Sequence, residues 1–491
     1  MAAGRLTVLM LSWEFPPRII GGISSHVYEL SMALARKNVN VHVVTCSFPE
    51  APENEQIGRV KVHRFNSKIP STSFLGWVFS MNQAMTERAI DVINDSNEEV
   101  DIIHAHDWLV TEAAVKLRDA FSKSLVSTIH ATEMGRRGGI HNDYQRTIDE
   151  VERHLINQSC EVICCSNYMA DQISSAFNVQ SARLHVIPNG VNAAKFDGRV
   201  NTLPIKRLYA KNGEKIVCFV GRLVHEKGVH VLIGAVPKVL AVIPNVNFVI
   251  VGEGGMKDYL MKEAWDFGVA SHVFFAGFVS EETLISIYRA SDAAVFPSLY
   301  EPFGITALEA MAAKTPVIVT DTGGLAEIVQ HEKTGIKVYV DNSDSLAWGI
   351  LRVLKNSDVA KRIGEDGYRK VLRDYDWDKI AEKTMKVYDL ALMAAPGHDT
   401  IHFRFPFLMS EEFPEELRIL LLMHILGIVD KENAKRPAEL AELLGMSVVR
   451  LHGLIQKLLD SGYVAYYRDD LRRLRYFLTK LGIVKVCSAF S

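Results

Sequence analysis

Two cations five positions apart and two carboxylates eight positions apart carry the clearest chemistry in this 491-residue sequence. Arg222 and Lys227 sit in GRLVHEKGVHVLI, between a strand-like run and a helical one, so both are expected near a helix start, facing a crevice. Free N–H groups and the helix dipole already favour anions there, and two added cations suit a departing pyrophosphate. A charge pair at ~4 Å contributes about 1 kcal/mol in water and about 4 at an effective dielectric of 20, so partial burial decides its catalytic value. The same two residues also read as a solvated basic cluster.

Glu301 and Glu309 lie in PSLYEPFGITALEAMAAKTPVIVTDTGG. This spacing predicts one carboxylate on a loop and the other two turns into a helix, at two heights of one pocket. Carboxylates placed so accept hydrogen bonds from vicinal hydroxyls, as on ribose or hexose rings, and the N–H groups of Phe303, Gly304, Ile305 and Thr306 at the helix start can add more. Taken alone, the spacing equally fits an acidic helix N-terminus followed by a surface Glu. Gly21-Gly22 would let backbone N–H groups approach a phosphate at the start of a helix over 22–36, although a plain tight turn has the same signature. Neither GxGxxG nor GxxxxGK[ST] occurs at these places, which counts against a P-loop.

The elements that must position these residues alternate regularly. RLTVLMLS, VNVHVVTC, VDIIHA, SLVSTIH, EVICCS and RLHVIPN are apolar strand-like runs with helical periodicity between them. EKIVCFVG, VNFVIVG, HVFFAG, AAVFPS, TPVIVT and GIKVYV form a second such series after the irregular connection NGVNAAKFDGRVNTLP. The expected fold class is α/β, with two Rossmann-like doubly wound domains facing across a cleft: residues 1–195 and residues 196–395. In open α/β sheets ligands bind beyond the carboxyl ends of the strands, where the residues singled out above fall.

Length agrees with this division, because single hydrophobic cores stop growing near roughly 250 to 300 residues. Apolar residues at 48% and charged residues at 23% exclude a disordered, collagenous or disulfide-scaffold class. A formal net charge of −3 argues against whole-protein capture by nucleic acid or an anionic membrane, so any anion site is local. The longest strongly apolar run, 419–428, is short of the ~20 residues a bilayer span needs, and the N-terminus reads as a first buried strand. Six cysteines without a Cys-x-x-Cys pair fit a reducing cytoplasm.

In order along the chain, GGISSHV, HAHDW at 104–108, STIHATE around His130, PNGV at 188–191, GRLVHEKG and EPFGITALEAMAAKTPVI resemble the motifs of retaining GT-B glycosyltransferases of family 4, glycogen and starch synthases included. The resemblance covers about 395 residues. It implies that Arg222 and Lys227 hold the nucleoside diphosphate and stabilise its departing charge, Glu301 contacts the transferred hexose, Glu309 the ribose, and His130 orients a sugar hydroxyl. Gly21 and Gly22 fall at the phosphates, and His106 and Asp107 of HAHDW on the substrate side. Where bacterial glycogen synthases carry Lys two residues before the paired glycines, this chain has Ile19, with Arg18 one position earlier.

The expected activity is therefore hexose transfer, probing first for glucose from ADP-glucose or UDP-glucose, onto an α-glucan. A lipid-linked, polyol or sugar-phosphate acceptor is the alternative. No side chain stands out as a nucleophile, so front-face substitution assisted by the departing phosphate is expected, without a metal. Asp374, Asp376 and Asp378 precede a helical pattern and read as a cap. His104 and His106 share one face of a strand, which fits packing or substrate contact better than zinc.

Residues 400–491 read differently, as a winged-helix-like α+β domain: three helices, then a hairpin around Asp469-Asp470. From 397 onward 13 Lys/Arg stand against 12 Asp/Glu, net +1, with Arg468, Arg472, Arg473 and Arg475 grouped at the hairpin. A nucleic acid, a protein partner and homo-oligomer formation are the open readings for this domain, and a sugar-nucleotide-responsive regulator that binds DNA is the competing view of the whole chain.

Overall fold

The structure, a computed structural model, describes residues 5–66, 74–95, 99–198 and 200–394, and in the C-terminal part 415–416, 419–420, 423, 428, 431, 434–443, 446–469 and 472–479. The first unit contains β1 (Thr7–Leu11), β2 (Asn40–Cys46), β3 (Asn54–Ile57), β4 (Val60–Phe65), β5 (Ile102–His106), β6 (Ser124–Ile129), β7 (Glu161–Cys164) and β8 (Leu184–Val186). They form one sheet in the order β3-β4-β2-β1-β5-β6-β7-β8, parallel throughout except for β3 at one edge. Every residue of β1 is buried, as a central parallel strand covered on both faces requires. The β3–β4 pair is absent from the sequence-based reading. β3, at the edge, alternates exposed and half-buried, and in β4 buried Val60 and Val62 alternate with half-buried Lys61 and His63, so neither shows the continuous apolar run of a central strand.

The second unit contains β9 (Lys215–Val220), β10 (Val246–Val251), β11 (Val273–Gly277), β12 (Ala293–Phe296), β13 (Val317–Thr320) and β14 (Ile336–Val338), parallel in the order β11-β10-β9-β12-β13-β14. All six correspond to expected runs, so the α/β class with two Rossmann-like units holds. Strand order reverses between β1 and β5 in one sheet and between β9 and β12 in the other. The loops leaving those four strands carry most of the candidate residues, at the switch points where open α/β sheets bind ligands.

The last helix of the pair of units, Trp377–Met393, corrects the expected boundary at 395. It follows the second unit in sequence but packs on the first, sharing a core with Val8, Met10 and Leu34 through Trp377, Ile380 and Tyr388. Arg36 Nη2 meets Asp378 Oδ1 at 2.7 Å, and Ser124 Oγ donates to the Ala391 carbonyl at 2.8 Å. Buried positions at 377, 380, 381, 384, 387, 388 and 391 give this helix one long apolar face, which the first unit covers. Asp376 caps it, accepting from the N–H groups of Asp378 and Lys379, as its sequence position predicts.

In the C-terminal part, helices Pro437–Leu443 and Val448–Asp460 and an antiparallel pair, β15 (Val464–Arg468) and β16 (Leu474–Leu478), share a small core of Leu440, Leu451, Ile455, Val464, Tyr476 and Leu478. Most of the first expected helix, and Asp470 and Leu471 of the expected wing, lie outside the described residues. Arg473 and Arg475 both bond to Asp469 Oδ2, at 3.2 and 3.0 Å, which offsets part of the basic character read from the sequence. Among the described residues no helix is long and apolar enough to cross a membrane.

Candidate functional site

The turn after β9 is pressed onto the chain leaving β12. Gly228 has φ 65°, and a Cβ there would lie 2.0 Å from the Pro297 carbonyl oxygen, so only glycine fits. Leu299 N–H donates to the Glu226 carbonyl at 2.8 Å and fixes the second contact between these segments. As a result Lys227 Nζ lies 2.7 Å from Glu301 Oε2, which also accepts from Ser298 Oγ at 3.1 Å. These two side chains are 20% and 11% exposed, whereas Arg222 is 52% exposed and pairs with Glu226 at 3.3 Å. The two expected cations therefore separate into an inner one, already paired, and an outer one on the rim.

A helix runs over Ile305–Ala312, so Glu309 lies one turn beyond its first residue and not the expected two. The N–H groups of Ile305 and Thr306 belong to its first turn, where no intrahelical acceptor is available. Gly304, at φ 110°, makes the entry to this helix possible, while the Phe303 ring turns into the core against Tyr375. Glu309 Oε2 accepts from Tyr288 Oη at 3.1 Å. Burial raises the Glu309 pKa to about 7, partly offset by that hydrogen bond.

On the first unit, the loop after β1 is organised by Glu14. Its carboxylate accepts the Ile20 N–H at 2.7 Å and the Gly21 N–H at 2.9 Å. This corrects the expectation for Gly21, whose amide is already engaged and is not free for a phosphate. Gly22 begins the helix Gly22–Arg36 as expected, and a Cβ there would meet Ile305 Cδ1 at 3.1 Å. The glycine thus allows close approach between the two units. Further along the same side of the cleft, Ser166 Oγ donates to the Pro302 carbonyl at 2.7 Å, and Glu327 accepts the N–H groups of Asn167 and Tyr168.

Beyond β5 and β6, His26, His106 and His130 converge, with one ring nitrogen of each within 4.8 Å of the other two. His130 is half-buried at the edge of the group. His106 is fully buried on the central strand β5, which corrects its expected direct contact with substrate; it lies beneath His130, 3.4 Å from Nδ1 to Nε2. Burial lowers the pKa of His26 to about 4, and burial with repulsion from neighbouring rings lowers those of His106 and His130 well below the usual range. All three are neutral near pH 7. Asp107 is 3% exposed at φ 66°, Oδ1 has no protein partner, and burial raises its pKa to about 6.

Glu14, Tyr288, Ser298 and Asn189 are site residues that sequence reasoning did not single out. Asn189 and Ser298 lay inside the quoted PNGV and PSLYEPFG segments, and Glu14 just ahead of the glycine pair. Tyr288 had no such signal, since SIYRASD reads as an ordinary amphipathic helix end.

Comparison with known proteins adds relatives to this geometry. The sequence matches the model for group 1 glycosyl transferases over residues 204–370 and that for Glycosyltransferase Family 4 over residues 20–195. It is 39% identical over 391 residues to an uncharacterized glycosyltransferase of Methanocaldococcus jannaschii, covering 79% of this chain and 99% of that protein. Against the glycogen synthase of Mycobacterium tuberculosis the identity is 34% over 400 residues, covering 78% and 94%. Among solved structures, the sucrose-phosphate synthase of Thermosynechococcus elongatus shares the fold with a TM-score of 0.68 at 24% identity, over 79% of this chain and 100% of that one.

Proposed function

The chain belongs to the family 4, group 1 glycosyltransferases of GT-B fold, and we propose that it transfers a hexose, glucose first among candidates, from a nucleoside-diphosphate sugar to an α-glucan with retention of configuration. The observation that carries this reading is the Lys227–Glu301 pair at the end of β9 and β12, opposite the Gly22 helix of the other unit. The likeness to a glycogen synthase over nearly its full length supports the acceptor class.

In this reading Lys227 and Arg222 face the diphosphate. Breaking the bond between the sugar C1 and the phosphate oxygen concentrates negative charge on the leaving group, and the inner ammonium gains most from that change. Lys227 then exchanges part of its contact with Glu301 for the phosphate, leaving the carboxylate to accept a hexose hydroxyl. Neutral His130 and the unpaired Asp107 oxygen hold further hydroxyls. The acceptor oxygen forms its bond to C1 on the face that the phosphate leaves, and its proton passes to a phosphate oxygen. Glu309 accepts the ribose hydroxyls. Charge stabilisation falls to the two cations, so the reaction needs no metal ion.

The test is nucleoside diphosphate release from ADP-glucose and UDP-glucose, with glycogen, small polyols and sugar phosphates as acceptors. Release with glycogen and an α-linked product is expected. Release with sugar phosphates alone would overturn the glucan assignment, and a glycosyl-enzyme trapped by rapid quench would overturn the front-face mechanism.

A further inference from the structure

We propose that His26, His106 and His130 together form a binding site for one divalent transition-metal ion of the Zn2+ type, and that an ion held there withdraws His130 from the transfer reaction. The second part rests on the function proposed above; the site itself does not.

Four histidines meet beneath the cleft, and their hydrogen bonds separate one from the other three. His104 has both nitrogens engaged, Nδ1 with Tyr388 Oη and Nε2 with Thr128 Oγ1, each at 2.8 Å. His26 is different. Its Nδ1 lies 2.5 Å from Asn189 Oδ1, an acceptor, so the proton sits on Nδ1 and the lone pair on Nε2, which is buried without a protein partner. His106 Nε2 is likewise buried and unpartnered. These rings are 4% and 0% exposed, and buried polar atoms without partners require an explanation such as an ion or a water.

The chemistry of the donors selects the ion. Three imidazole nitrogens suit Zn2+, Co2+ or Cu2+ and disfavour Mg2+, which prefers oxygen. Asn189 supplies the outer hydrogen bond that fixes the tautomer and orientation of a ligating histidine. With metal–nitrogen bonds of about 2.1 Å, tetrahedral ligands lie about 3.4 Å apart, so nitrogens within 4.8 Å need modest side-chain rotation to close on an ion. Half-buried His130 provides the edge at which an ion enters.

Titration of the full chain with Co2+, followed by visible absorption, and equilibrium dialysis with Zn2+ test the site. One ion per chain is expected, with the intense absorption of four-coordinate Co2+ and no competition from millimolar Mg2+. His26→Gln should weaken binding at least 100-fold. Asn189→Ala, which keeps all three ligands, should weaken it about 10- to 100-fold and guards against a folding failure of the first variant. Binding that persists unchanged in both variants, or no Co2+ spectrum in wild type, overturns the site. A Co2+ spectrum in a chain without transferase activity would retain the site and reject the proposed function. Transfer that is unaffected by saturating Zn2+ would reject only the inhibitory role.

Discussion

Lys227 Nζ and Glu301 Oε2 lie 2.7 Å apart although their residues leave two different strands of the second sheet, so the inner cation of the cleft is held in an ion pair before any ligand arrives. Removing one partner strands the other in a largely buried place. Lys227→Ala should lower kcat about 100- to 1,000-fold with a smaller effect on KM. It should also cost about 1–3 kcal/mol of stability, and Glu301→Gln in the same chain should restore part of that stability but none of the activity. Steady-state kinetics and denaturant melts of the double-mutant cycle check this, and an unchanged kcat in Lys227→Ala removes the residue from its role.

Glu309 links nucleotide affinity to pH. With a pKa of about 7, its carboxyl is about one-tenth ionised at pH 6 and about nine-tenths at pH 8. If the carboxylate is the form that accepts the ribose hydroxyls, nucleoside diphosphate affinity rises roughly tenfold over that interval, and Glu309→Gln flattens the profile. Stability of the free protein moves the other way. The folded pKa lies above the ordinary 4.5, so the folded chain holds this proton more tightly than the unfolded chain. That contribution is complete below about pH 4.5 and is lost as the pH rises through 7. Calorimetric titrations at several pH values, with thermal melts alongside, read both signs.

Gly22 and Ile305 meet across the cleft. Gly22→Val places methyl groups where Ile305 Cδ1 already lies 3.1 Å from a single Cβ, and it should reduce kcat/KM at least tenfold. Ile305→Ala should recover much of that loss in the double variant. Independent, additive losses would show that the glycine serves the helix start alone.

Glu14 orders the loop that carries the glycine pair. Glu14→Ala leaves the Ile20 and Gly21 N–H groups without their acceptor, so hydrogen exchange at those two amides should accelerate about 10- to 100-fold. The donor KM should rise with it. Unchanged protection at both amides would contradict this arrangement.

The sequence by itself determined the two α/β units, because central parallel strands appear as uninterrupted apolar runs and their loops as breaks rich in Gly and Pro. It also marked Lys227, Glu301, Glu309 and the glycines, which lie just beyond such a run, at a helix start or within its first turns, while His130 came only with the resemblance to family 4. Only the tertiary structure decided which of these meet. Lys227 and Glu301 pair because β9 and β12 are neighbours after a crossover, a fact of strand order that no local pattern records. The Gly21 amide is taken by Glu14 through a fold of the loop, and His106 disappears under His130 because β5 lies between β1 and β6. The helix Trp377–Met393 returns to the first unit for the same reason: its apolar face is local information, whereas the surface that covers it is not.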